Sequence, residues 1–174
     1  MNKSRMVAYI SVFTSMAVVG RLSMTILPNI APVAPLTLLA GYLGNAYTGF
    51  VVGLLSMLIS DIYIGIGPWT LFTSFFMGLV GVTGSLIYRV SRDKVIIFVL
   101  SYIAVLIYDI GTSIFPMLFF GVPPIVAILN LFLPIFFLGI PYPMGPVHEF
   151  TSSLLFISLI KLVDRFGLRG VIHG

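Results

Sequence analysis

The sequence predicts an all-α integral membrane protein, a single membrane domain over residues 1–174 with six transmembrane helices. Three observations predict it. Hydrophobic residues make up 59% of the chain and charged residues 8%, whereas a soluble domain is about a quarter charged. The apolar residues fall into long runs broken by Pro, Gly or short basic stretches. The basic residues gather at Lys3 and Arg5, at Arg89, Arg92 and Lys94, and at Lys161, Arg165 and Arg169. Six spans put all three groups on the cytoplasmic side, with both termini, as the positive-inside rule requires. The expected location is the plasma membrane, multi-pass, with the lipid bilayer as solvent.

Each element follows in turn. Lys3 and Arg5 precede an uncharged run from Met6 to Gly20. No small-residue cleavage site follows, and Arg21 leads into more apolar sequence, so an uncleaved helix one is expected over Met6 to Leu27. Helix two, Ala34 to Asn45, comes straight after Pro28 and Pro32 and is short. Such a segment is tolerated at membrane depth only where protein buries it. Helices three (Thr48 to Ile64), four (Trp69 to Tyr88) and five (Val95 to Phe115) approach the roughly 20 residues of a span. Helix six runs from Pro146 to Val163. Before it lies the stretch 119–144, apolar but punctuated by Pro123, Pro124, Pro134, Pro141 and Pro143. Ile125 to Leu138 reads as a seventh span, a re-entrant element or an outer lid. A full span would move the C-terminal basic cluster outside, so a Pro-rich, partly helical outer element between helices five and six is expected.

Small residues recur at i, i+4, i+7, i+11, which is one helix face. Helix one has Ser4, Ala8, Ser11 and Ser15; helix three has Gly49, Gly53, Ser56 and Ser60; helix four has Ser74, Gly78, Gly81 and Ser85. Such faces let backbones approach closely in lipid. For helices three and four, packing within this chain is the expected use. For helix one, Ala8, Ser11 and Ser15 fit an internal neighbour or a separate membrane partner equally well.

A charge near the bilayer centre costs about 2.5 to 3.5 kcal/mol, so the remaining ionisable residues are functional candidates. A rise of about 1.5 Å per residue puts Arg21 and Asp61 roughly 7 Å, and Asp109 roughly 6 Å, to the outer side of their helix centres. His148 and Glu149 open helix six on that side. Trp69 and Thr70 open helix four there, Tyr63 closes helix three, and Tyr108 and Thr112 flank Asp109. A cup open to the outside over a dry inner half is the expectation. Each member also has a structural role available: Arg21 as a charge-cancelling partner for Asp109, Asp61 as a cap for the next loop, Trp69 as an interfacial belt residue, and Glu149 as a favourable charge at a helix N-terminus.

Other classes fit poorly. With no Cys there is no disulfide, thiol nucleophile or thiolate metal site. Two histidines without H-E-x-x-H make no metal centre, and no P-loop or nucleophile elbow occurs. No catalytic residue, metal or cofactor is expected. The net charge of +4 belongs to the cytoplasmic flanks, and no basic-aromatic stripe suggests nucleic acid. No selectivity filter and no inverted repeat points to a channel or a self-sufficient transporter.

The order of several segments resembles the substrate-binding S components of energy-coupling factor (ECF) vitamin transporters. These are the Pro-rich loop Leu27-Pro28-Asn29-Ile30-Ala31-Pro32-Val33, the run Leu38-Leu39-Ala40-Gly41-Tyr42-Leu43-Gly44 followed by Gly49-Phe50-Val51-Val52-Gly53, Ser60-Asp61, and Gly67-Pro68-Trp69-Thr70-Leu71-Phe72 leading to Gly78-Leu79-Val80-Gly81. Asp109 and the Pro-Tyr-Pro-Met-Gly-Pro-Val-His run ending at His148 complete the set. The resemblance implies capture of a vitamin from outside and docking through helix one onto a transmembrane coupling subunit that carries two cytosolic ATPase subunits. The family's docking face is an Ala-x-x-x-Ala type pattern. Here Val12 follows Ala8, and the face Ser4, Ala8, Ser11, Ser15 takes its place. The Gly-Pro-Trp-Thr segment looks most like cobalamin-type or uncharacterised S components, which implies cobalamin or a precursor as ligand. Riboflavin or another flat aromatic, stacked on Trp69 or Tyr63, is the alternative. A structural or assembly membrane protein without ligand is the alternative from another class, and a small membrane enzyme using His148 and Glu149 as an acid–base pair is a third.

Overall fold

A computed structural model describes residues 2–24, 32–132, 135–137, 140–142 and 144–167. Seven helices and one short hairpin make up the described chain: α1 (Lys3–Ser23), α2 (Val33–Leu43), α3 (Ala46–Ile64), α4 (Pro68–Val90), α5 (Lys94–Phe119), α6 (Pro124–Phe132), β1 (Ile135–Phe137), β2 (Ile140–Tyr142) and α7 (Met144–Arg165). Four of them, α1, α3, α4 and α5, are long and apolar enough to cross a membrane. α7 has 22 residues but includes His148, Glu149, Lys161, Asp164 and Arg165. α2 is an apolar helix of 11 residues.

Local chemistry sets the helix starts. The Asn2 side chain accepts from the Arg5 amide at 2.9 Å and opens α1. Asn45 and Thr48 form a reciprocal capping box at α3, with the Asn45 side chain accepting from Thr48 N at 2.9 Å. Pro68, at the first position of α4, needs no amide partner there. The Asp93 carboxylate caps the Val95 and Ile96 amides, at 2.8 and 3.1 Å, and so starts α5. This helix runs to Phe119, past the expected end at Phe115, although Pro116 lies inside it and gives up one backbone hydrogen bond. α1 ends at Ser23 rather than Leu27. The loop residues Leu27 to Ala31, together with Arg169, lie outside the described residues.

Every residue of α2 is buried. It packs against α1, α3, α4 and α7 and forms the centre of the bundle. A short helix with unsatisfied ends needs such cover. α3 lies along α4, α4 along α5, and α5 along α7. Leu38, Tyr42, Leu43, Val105 and Phe156 are among the core residues. Outside, Val12, Val19, Ile62, Leu71, Val99 and Ile107 are exposed, an apolar jacket suited to lipid rather than water.

The small-residue faces of α3 and α4 are internal. Gly49, Gly53, Ser56 and Ser60 are all buried, as are Ser74, Gly78, Gly81 and Ser85. A Cβ on Gly81 would run into the Gly49 carbonyl, and one on Gly41 into the Gly81 carbonyl, so three helix backbones touch at one point. On α1 the same spacing has the opposite environment: Ser4, Ala8, Ser11 and Ser15 are exposed. The Pro-rich stretch is partly helical, as expected, through α6. The antiparallel pairing of β1 with β2 is not legible in the sequence. Pro134, Leu138 and Pro143 lie outside the described residues.

Candidate functional site

The C-terminal ends of α1 and α3 and the N-terminal end of α4 meet at one end of the bundle. Arg21 comes from the last turn of α1. Its Nη1 donates to Asp61 Oδ1 at 2.6 Å and to Ser60 Oγ. Asp61 is 1% exposed and its second oxygen accepts from Thr70 Oγ1 at 2.7 Å. Thr70 Oγ1 in turn accepts from the Gly67 amide at 3.2 Å, which ties the α3–α4 connection to the cluster. Ser60 donates back to the Ser56 carbonyl at 2.7 Å. A buried carboxylate thus receives a guanidinium and a hydroxyl, the pairing that makes a buried charge tolerable.

A second pair lies between α5 and α7. His148 Nδ1 is 2.9 Å from both carboxylate oxygens of Asp109. A carboxylate only accepts, so Nδ1 carries the proton. Tyr108 is buried and packs edge-on against His148, with ring centroids 6.0 Å apart. The charges of Asp109, Arg21 and Asp61 also act on its hydroxyl. Glu149, next to His148, is 2% exposed. Tyr102 of α5 is close enough to interact with its carboxyl, yet Oε2 has no hydrogen-bond partner among the described residues.

The expected candidates separate accordingly. Arg21, Asp61, Thr70, Tyr108, Asp109, His148 and Glu149 converge. Arg21 pairs with Asp61 rather than with Asp109, because α1 lies against α3 while α5 lies between α4 and α7. Tyr63 is 72% exposed and Trp69 50% exposed; Trp69 lies over Gly67, where a Cβ would meet its ring. Thr112 turns its hydroxyl onto the Tyr108 carbonyl at 2.9 Å. Sequence reasoning missed Ser60 and Tyr102 as site residues. Ser60 was legible as a small residue and as the neighbour of Asp61 but not as its partner's ligand, and Tyr102 lies two helical turns from Asp109 with no local sign of its role.

Further buried oxygens continue inward. Ser74 lies one turn from Thr70 on α4, and Ser152 and Ser153 one turn from His148 and Glu149 on α7. With Thr14 and Thr37 they are buried without a hydrogen-bond partner among the described residues. Buried polar groups are normally bonded, so such a group implies water or a ligand. Among the described residues no group of three or more His, Cys, Asp or Glu is arranged to hold a metal ion. No protein-family model matches the chain, and searches of curated proteins and of solved structures find no match.

The Thr70 hydroxyl gives a direct test of this geometry. Thr70→Val keeps the shape and removes the hydrogen bond to a buried carboxylate, along with the acceptor of the Gly67 amide, so a loss of about 2 kcal/mol is expected. Chemical denaturation in a fixed detergent measures it, with Thr73→Val, which gives up only a bond to its own helix, as the control.

Proposed function

We propose that this chain is a substrate-binding S component of an ECF-type importer, which captures a vitamin at its polar end and delivers it through an ATP-driven coupling module. In this reading α2 and α7 join α1, α3, α4 and α5 to make six spans, with both termini cytoplasmic and the Arg21–Asp61 end outward. The observation that carries the reading is the convergence of ionisable side chains from α1, α3, α5 and α7, with Thr70 of α4, at one end of the bundle. Three carboxylates, Asp61, Asp109 and Glu149, face one arginine and one histidine there. A ligand rich in hydrogen-bond donors complements that balance, which favours amide-bearing cobalamin or a precursor over riboflavin. Partner subunits enter through α1, whose face of Ser4, Ala8, Ser11 and Ser15 is exposed and allows the close helix approach that small residues permit.

The test is a vitamin panel offered to the purified protein, with retained ligand identified by native mass spectrometry, and co-purification with a coupling subunit and its ATPases. Binding of no vitamin, together with no coupling partner, overturns the proposal. Glu149→Gln is expected to weaken the bound vitamin by roughly 10- to 100-fold, the worth of one hydrogen bond to a charged group. Unchanged affinity would remove Glu149 from the site.

A structural reading has its own observation: Arg21 with Asp61, and Asp109 with His148, satisfy each other without a ligand. On that reading these residues hold helices together, and replacing them by apolar groups leaves function intact. The Oε2 of Glu149, without a partner among the described residues, favours the ligand.

A further inference from the structure

At the opposite end of the bundle, between the C-terminal end of α2, the α4–α5 turn and the last turns of α7, lies a cavity of about 230 Å³. Its rim carries Arg92, Lys94 and Lys161 against a single carboxylate, Asp164. Its floor and wall are Tyr42 and the isoleucines Ile97, Ile157 and Ile160. Arg92 is held in place rather than loose. Its guanidinium lies 3.3 Å from the Tyr88 ring centroid and donates from Nη1 to the Tyr42 hydroxyl at 3.3 Å. Tyr42 is 2% exposed and meets the rings of Tyr88 and Phe156 edge-on. The only acidic side chain of the α4–α5 turn, Asp93, is turned onto the first amides of α5 and caps that helix.

We propose that this pocket binds the phosphate headgroup of an anionic phospholipid. Two features select that ligand. An excess of cations over carboxylates at the end of a membrane helix pair attracts lipid phosphate, and basic pockets between spans are a recurrent way of holding such headgroups. The isoleucine wall would be wasted on a free inorganic ion, and the same two helices expose Val95, Ile96 and Leu162, apolar surface on which an acyl chain can lie. The aromatic clamp on Arg92 fixes a planar donor before the ligand arrives, which lowers the ordering cost of binding. This site is separate from the polar end and does not depend on what that end captures.

The experiment uses the full chain in nanodiscs of phosphatidylcholine mixed with phosphatidylglycerol, released into the mass spectrometer with bound lipid counted. Selective retention of phosphatidylglycerol is expected. Removing the charges of both lysines, Lys94→Gln with Lys161→Gln, should weaken it by roughly 30-fold, since each lysine near an anionic surface contributes about a factor of five. Lys94→Arg with Lys161→Arg should restore retention, which separates lost charge from a damaged fold. Equal retention of phosphatidylcholine, or unchanged retention in the glutamine variant, overturns the proposal. So does displacement of the lipid by inorganic phosphate at matched concentration, which would make this a free-anion site. Tight binding of a polyglutamate peptide that phosphatidylglycerol cannot displace would instead make it a protein-docking site and overturn it equally.

Discussion

Replacing Asp61 by Ala is expected to destabilise the protein by about 3 kcal/mol, because it strands a charge where little water reaches. Asp61 accepts from Arg21 at 2.6 Å and from Thr70 at 2.7 Å. Its loss leaves a guanidinium with Ser60 as its remaining partner among the described residues, and a buried threonine hydroxyl with no carboxylate to meet. Removing one member of a buried pair costs about 3 to 5 kcal/mol. Arg21 keeps 20% of its side chain exposed and so recovers some hydration, which places the expected value at the lower end. Trp69, the one tryptophan, sits beside Thr70 and reports the change by fluorescence during unfolding. A loss below about 1 kcal/mol, the range of an exposed pair, would mean that the Arg21–Asp61 contact does not hold in the membrane.

The double variant Arg21→Met with Asp61→Leu separates stability from function. Replacing both partners by apolar groups of similar size is often neutral or stabilising by about 1 to 4 kcal/mol. Under the proposed function, a stable double variant that no longer binds a vitamin that the wild type binds would tie the pair to the ligand. A stable double variant that binds normally would reduce the pair to a helix clamp, and the structural reading of this end would gain.

The long helices were legible because each is a bounded apolar run, with a cap at Asn45 or Asp93 or with Pro68 at its start. The convergence at one end was also legible, since helix direction and residue count alone place Arg21, Asp61 and His148 at the same height. The partners were not. Whether Arg21 meets Asp61 or Asp109 depends on which helices are neighbours, and α1 lies against α3 while α5 lies between α4 and α7. Tyr63 and Trp69 stand outside the cluster for a related reason. Height along the bundle was known for both, but their side chains point away from the cluster, and direction around a helix axis matters only once the neighbours are fixed. The hairpin of β1 and β2 had no signal because its strands are three residues each and too short to show an alternating pattern.

Gly81→Val is expected to cost about 3 kcal/mol or more, at the upper end of overpacking penalties. Helix propensity by itself predicts the reverse sign for a glycine-to-alanine change, since alanine is favoured by about 1 kcal/mol inside a helix. The contact decides otherwise. A side chain on Gly81 meets the Gly49 backbone, while Gly41 from α2 closes on the Gly81 carbonyl. No rotamer relieves a clash between a Cβ and backbone, so α2, α3 and α4 must separate, and α2 loses the cover that its short length requires. The informative comparison is Ala8→Val, a similar enlargement on the same small-residue spacing, placed on the exposed face of α1. Its unfolding curve should match the wild type, since nothing among the described residues occupies that face. If α1 docks a coupling subunit, Ala8→Val should abolish co-purification with that subunit while leaving vitamin binding intact. Equal destabilisation by both substitutions would mean that α1 packs inward in the membrane, and would remove the docking face along with the partner it implies.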